Sequence, residues 1–245
     1  MIILYHMPPL IKFKNMTRGF KDKKVLKNIS LEIKKGEIFG IIGMSGSGKT
    51  TLLNTLIGFL DPEKGDIYYY NKKTKKHEPI SEDPLEKRKM FGFATQMPSF
   101  YPKLTIEENL DHFGSLYNLK SKTRKKNIKR LLKMIGLKSE KDLLAQTLSG
   151  GMEKRLGIAC ALIHDPDVLI LDEPTANLDP VLREETWELV EKINRSGTTV
   201  IVASHLLDEL EPICGRIGIL HNHSLVKIGT PDQLKGKYSK NEEIR

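Results

Sequence analysis

The run Gly43-Met44-Ser45-Gly46-Ser47-Gly48-Lys49-Thr50 constrains this chain more than any other stretch. It fits G-x-x-x-x-G-K-[ST], the spacing of a loop that wraps an anion. Glycines let the backbone approach closely, so that successive N–H groups point inward, and a helix opening at Lys49 adds its positive end. The motif requires a strand before it and a helix after it. Glu37 to Ile42 is a short apolar run that ends in glycines, and Lys49 to Phe59 places Leu52, Leu53, Leu56 and Ile57 on one helical face. In that setting Lys49 reaches the β- and γ-phosphates of a nucleotide, and the Thr50 hydroxyl meets Mg²⁺.

A phosphate loop of this kind needs a carboxylate at the end of a buried strand. Val168-Leu169-Ile170-Leu171 is a fully apolar run, followed at once by Asp172-Glu173. Asp172 is positioned to hold Mg²⁺ through water, and Glu173 to act as the general base that polarises an attacking water. Thr199 to Ala203 is a second fully apolar run, and both read as central strands buried on two faces. Ile29 to Ile33 alternates apolar and polar residues like a half-buried strand, and Leu10 to Met16 does so less cleanly. Helical patterns run over Val181 to Arg195 and Leu206 to Ile213. From about Ile106 to Leu162 the spacing is helical with no clear strand. Strand, glycine loop, helix and further strand-helix units describe an α/β fold with a largely parallel sheet, and the helical block is an insertion between the first and second buried strands.

Leu148-Ser149-Gly150-Gly151-Met152 is a second polar-glycine turn that opens a helix. With one nucleotide already cradled by Gly43 to Thr50, a second anion-ready helix start points to a second ligand or a second subunit. This stretch resembles the signature sequence of the ATP-binding cassette (ABC) ATPases, and the resemblance extends over nearly the whole chain. It implies one P-loop ATPase domain over residues 10–235 with a mostly parallel core sheet, an N-terminal antiparallel β subdomain and a helical subdomain inserted at about 97–155. Residues 1–9 and 236–245 are then short terminal extensions. Position by position, Ser45, Gly46, Ser47, Gly48, Lys49, Thr50 and Thr51 stand among the ATP-binding residues. Phe20 resembles the aromatic residue that stacks on adenine, with Val25 beside it. Gln96 resembles the lid glutamine that senses Mg²⁺ and the attacking water. His205 resembles the switch histidine that contacts the γ-phosphate, a role suited to an imidazole that can donate to phosphate and accept from backbone. Asn177-Leu178-Asp179 resembles the loop that communicates across a dimer. Met152 stands where the family's signature commonly has glutamine, and Asn177 where exporter-type cassettes of this size commonly have glycine; neither position supplies a phosphate ligand.

What the resemblance implies mechanistically is a head-to-tail dimer, either of identical chains or with a paralogous cassette. Each ATP lies between the Gly43 to Thr50 loop of one subunit and Ser149, Gly150, Gly151 and Asp179 of the other. Phe100 to Leu110, Phe113 to Asn118, Asp179-Pro180 and Gly229 to Leu234 look like exporter-type cassettes, so the expected activity is ATP hydrolysis, with Mg²⁺, coupled to export. The alternative is a soluble cassette ATPase acting on ribosomes or DNA. Those proteins usually carry two cassettes or a long coiled-coil insertion, and this sequence has one phosphate loop and no heptad run. A P-loop kinase or GTPase would leave Leu148 to Met152 and His205 unexplained.

Crossing a bilayer by helix takes about 20 mostly apolar residues. The longest stretch without Asp, Glu, Lys or Arg runs only from Met90 to Pro102 and contains two prolines. A transport role therefore needs separate permease subunits, with this chain peripheral on the cytoplasmic face of the membrane and its docking groove in the helical block, at Met97 to Tyr101. Met1 to Leu10 lacks a basic start and is broken by Pro8-Pro9, unlike a signal peptide. Cys160 and Cys214 lack metal-ligand spacing and read as buried reduced thiols. The net charge of +9 suggests an anionic partner, but it is uneven. Lys120 to Lys133 holds eight basic residues and no acidic one, whereas Asp172 to Glu211 holds ten acidic residues against three basic. The basic run is either a face near anionic lipid headgroups or a solvated helix face, and no nucleic-acid partner is expected.

Overall fold

The structure, a computed structural model, describes residues 8–20, 23–81, 87–97 and 99–235. The remainder of the expected terminal extensions, residues 1–7 and 236–245, lies outside the described residues, as does Pro98. In chain order the strands are β1 (Ile11–Phe20), β2 (Lys23–Ile33), β3 (Ile38–Ile42), β4 (Lys64–Asn71), β5 (Lys76–Pro79), β6 (Phe91–Ala94), β7 (Val168–Asp172), β8 (Thr199–Ser204), β9 (Arg216–His221) and β10 (Ser224–Gly229). The helices are α1 (Lys49–Leu56), α2 (Ile106–Leu116), α3 (Ser121–Met134), α4 (Gly150–Leu162), α5 (Pro180–Arg195) and α6 (Leu207–Leu210). They fall into two compact units, residues 1–88 with 214–245, and residues 89–213.

In the first unit an antiparallel sheet of order β2-β1-β4-β5 forms the expected N-terminal β layer. Period-2 patterning sets its register: Ile11, Phe13 and Met16 are buried and face Ile33, Leu31 and Ile29 across the ladder. β3 is buried over Ile38 to Ile41 and pairs in parallel with β9, from Phe39 opposite Arg216 to Ile42 opposite Ile219. β10 returns antiparallel to β9 through Asn222 and His223, at φ 44° and 69°. Positive φ at both central residues is the signature of the tight hairpin whose twist matches its strands.

The second unit carries the parallel strands β6-β7-β8, paired from Phe91 opposite Val168 and Val168 opposite Thr199. β7 and β8 are buried at every position, as their apolar runs Val168 to Leu171 and Val200 to Ala203 require, with Asp172, Thr199 and Ser204 buried at their ends. The first of the inserted helices starts from a sharp local signal. Thr105 and Glu108 close a reciprocal capping box at the head of α2. Asn109 is fully buried and binds the preceding turn, donating to the carbonyls of Tyr101 (3.0 Å) and Thr105 (2.9 Å) and accepting from the Tyr101 N–H (2.7 Å). α3 turns Ile128, Leu131 and Leu132 inward and its lysines outward, and Arg124 meets Asp111 on α2 through Nε at 2.7 Å and Nη2 at 3.3 Å.

Three elements differ from their sequence expectations. α1 ends at Leu56 rather than Phe59, because Gly58 takes φ 69° and turns the chain out of the helix. The helix expected over Leu206 to Ile213 is reduced to Leu207–Leu210 ahead of Pro212. The helical insertion is preceded by β6, a four-residue strand not apparent in the sequence. Among the described residues no helix is long and apolar enough to cross a membrane.

Candidate functional site

The candidate residues fall in both units. In the first, Gly43 to Gly48 leave β3 and turn into α1. Gly48 is the residue before the helix, at φ 108°, and a side chain there would begin 3.0 Å from the Val25 carbonyl oxygen. That is a conformation which L side chains rarely adopt, against a wall that includes Val25. Val25 thus lies against the loop at Gly48. Lys49 is 7% exposed and folds back so that Nζ donates to the Gly43 carbonyl at 2.8 Å and the Met44 carbonyl at 3.4 Å. Ser45 and Gly46 are exposed at the tip, and Thr50 is exposed at the first turn of α1 with Thr51 half-buried. The Ser47 N–H donates to Met44 O at 3.0 Å, whereas its hydroxyl is buried without a hydrogen-bond partner. No side chain caps α1 and no acidic residue sits in its first turn. The result is a glycine-rich cradle with a buried ammonium across it and a helix start that no side chain caps.

In the second unit Asp172 ends β7 opposite Ala203 and is 5% exposed. Glu173 is the next residue, its N–H still donating to Ala203 O at 2.9 Å while its φ of 51° swings the chain off the strand. β8 ends one residue before His205. The two side chains meet: His205 Nδ1 lies 2.8 Å from Glu173 Oε2, with Glu173 12% and His205 47% exposed. The sequence pointed to each residue separately; their direct contact was not legible, since thirty-two positions separate them. A carboxylate held against an imidazole at a strand end can orient and deprotonate a water.

Ser149 caps α4, its hydroxyl accepting from Met152 N at 3.4 Å. Gly151 is buried against α5: a Cβ there would sit 2.8 Å from Leu182 Cδ2, so any larger residue would make the Leu182 side chain move. Asp179 caps α5, its Oδ1 accepting from the Val181 N–H at 2.9 Å and the Leu182 N–H at 3.0 Å, with Pro180 in the first turn. Asn177 takes φ 65°, a conformation glycine adopts without cost and asparagine tolerates, which accounts for the exchange of one for the other at this position.

Gln96 follows β6 on an exposed stretch, where its carbonyl accepts from Lys154 Nζ at 2.7 Å. Burial lowers the Lys154 pKa. Met97, Ser99, Lys154, Ile158 and Pro174 line a shallow groove here, at the expected docking position, with Met97 75% exposed. Phe20 is 45% exposed at the end of β1 under the Arg18 guanidinium, 4.8 Å from the ring centroid. Both cysteines are buried, and burial raises both thiols, Cys214 to about 12 with Glu37 adding to it, which removes them as nucleophiles. Among the described residues no group of three or more His, Cys, Asp or Glu could hold a metal ion. Thr50 in the first unit and Gln96 and Asp172 in the second, the residues expected to meet Mg²⁺, each carry a hard oxygen donor of the kind that suits that ion.

A family model described as ABC transporter matches residues 26–176. The chain is 35% identical over 234 residues to the Escherichia coli protein named Probable multidrug ABC transporter ATP-binding protein YbhF, covering 96% of this chain but only 39% of that protein. It is 35% identical over 225 residues to the Linearmycin resistance ATP-binding protein LnrL of Bacillus subtilis, covering 92% of this chain and 70% of that one. Among solved structures, cbiO1 from Clostridium perfringens, described as part of the ABC transporter complex cbiONQ, superimposes with a TM-score of 0.86 at 27% identity, covering 97% of this chain and 94% of that one.

Proposed function

The chain belongs to the ABC transporter family, and on that premise we propose that it is the ATP-hydrolysing nucleotide-binding subunit of an exporter. The observation that carries this reading is the uncapped glycine loop at the head of α1 with the buried Lys49 ammonium folded over it. A triphosphate gives Lys49 a better acceptor than the loop's own carbonyls. The loop N–H groups bind the β- and γ-phosphates, Val25 borders the loop, and Phe20 offers its exposed ring to adenine. Thr50, Asp172 and Gln96 would hold Mg²⁺, which neutralises phosphate charge when bound. Glu173 takes the proton of the attacking water, and His205, exposed beside it, orients Glu173 from Nδ1–H; the imidazole is free to donate toward the γ-phosphate once it gives up that contact.

Ser149, Gly150, Gly151 and Asp179 face the phosphates bound by a second subunit in a head-to-tail dimer, identical or paralogous. ATP then joins the subunits and hydrolysis releases them. The names of YbhF, a multidrug ABC transporter ATP-binding protein, and LnrL, a linearmycin resistance ATP-binding protein, support a transport role directed at drugs, and the groove beside Met97 supports docking of a separate permease that holds the chain at the cytoplasmic face of the membrane. Sedimentation of Glu173→Gln tests the reading. This variant should bind ATP, hydrolyse it slowly and sediment as a dimer only with nucleotide; a monomer at saturating ATP and Mg²⁺ would sink the head-to-tail assembly.

A further inference from the structure

Glu209 is a buried carboxylate that the reaction above does not use. It sits on α6, four residues after His205, with its side chain 7% exposed. A buried charge must be paired and hydrogen-bonded to persist. One partner lies in the loop after β7 and the other on α5: Oε2 accepts from the Thr175 hydroxyl, and Oε1 lies 3.2 Å from Arg183 Nη1. Arg183 carries the link onward, its Nη2 donating to the Leu178 carbonyl at 3.3 Å. The loop so gripped joins β7 to α5. It starts at Glu173 and ends at Asp179, and it contains two non-glycine residues in the left-handed region, Glu173 and Asn177, at φ 51° and 65°. Asparagine tolerates that region, but at Glu173 the conformation persists only where the surroundings enforce it. His205 holds the loop at Glu173 and Glu209 holds it at Thr175 and Leu178, so residues 205–209 grip it at both ends.

We propose that Glu209 is a positioning residue: through Thr175 and Arg183 it fixes this loop so that the water-activating Glu173 and the dimer-facing Asp179 are presented together. This rests on the ATPase reading above. Glu209→Gln keeps the size and an acceptor for Thr175 but removes the charge opposite Arg183. Nucleotide affinity should stay within about twofold of wild type while single-turnover hydrolysis slows about tenfold, because the phosphate loop is untouched and only the presentation of Glu173 changes. Amide exchange across residues 174–183 of the nucleotide-free protein should accelerate, with β7 and β8 unchanged. Thr175→Val should slow hydrolysis as well, and the double variant should be no slower than the slower single variant, since both act through one carboxylate. If burial makes Glu209→Gln fold poorly, Arg183→Gln breaks the same link from its more exposed end and should accelerate exchange near Leu178. Unchanged exchange in these variants, or full additivity in the double variant, overturns the proposal. Parallel losses of affinity and rate would show a merely structural role and overturn it too. A wild-type chain that hydrolyses no ATP would refute the ATPase reading instead, and the exchange measurement would still decide the role of Glu209.

Discussion

Two helices of this chain begin in opposite ways. α1 follows Gly48 at φ 108°, with no side chain closing its first turn. α5 follows Asp179, which closes its own first turn by accepting from the Val181 and Leu182 N–H groups, with Pro180 sparing one donor. Both starts carry the same partial positive charge. One is filled by its own sequence; the other is left open with Lys49 folded across it. α4 lies between the extremes, its Ser149 cap reaching Met152 N at a long 3.4 Å before two glycines. What sets the start of α1 apart is the glycine loop before it and the Lys49 ammonium folded back over that loop; a missing cap alone does not, since α3 also begins without one, after Lys120.

The variants that bear on this contrast differ in scale. Glu173→Gln should lower phosphate release by about 10²–10⁴-fold while ATP still binds, since it removes a general base and no phosphate ligand. A smaller loss would place water activation elsewhere. Lys49→Ala should weaken ATP binding about 10- to 100-fold in a titration with a fluorescent analogue, the size of one charge-assisted contact. Unchanged affinity would mean that the open start of α1 is not the anion site, and the contrast with α5 would collapse. Gly48→Ala should destabilise the chain by about 1–3 kcal/mol in denaturant unfolding, because alanine is forced to a positive φ against the Val25 carbonyl. Asp179→Ala should cost about 1 kcal/mol in the same experiment, the usual value of a lost cap. If Asp179→Ala proved the costlier of the two, the strain at Gly48 would have been relieved by movement of the loop.

The parts legible in the sequence are those where one short segment carries its own physics. Gly43 to Thr50 needs only its glycines and lysine, Leu169 to Leu171 only its unbroken apolar run, and the α2–α4 block only its helical spacing. β5 was not legible because Lys76–Pro79 is a short, polar edge strand without alternation, defined by its pairing with β4. β6 has four residues and takes its meaning from β7 beside it. The β9–β10 hairpin had a readable signal, the Asn222-His223 pair between two apolar runs, which suits a positive-φ turn. The contacts of His205 with Glu173 and of Glu209 with Thr175 and Arg183 join positions more than twenty residues apart, and no periodicity or spacing encodes them. The +9 charge misled as a guide to chemistry: Gly43 to Thr50 contains only one basic residue, Lys49, and the excess lies mainly in the N-terminal strands and the helical insertion, where α3 turns its lysines to solvent.

The most direct test of the central claim is phosphate release per subunit by the wild-type chain with Mg²⁺ and saturating ATP, followed as protein concentration rises. An ATPase that works as a head-to-tail dimer gives a rate per subunit that climbs with concentration and levels off once the dimer is formed. A rate per subunit that stays constant while the chain sediments as a monomer, or no release at any concentration, would contradict the account.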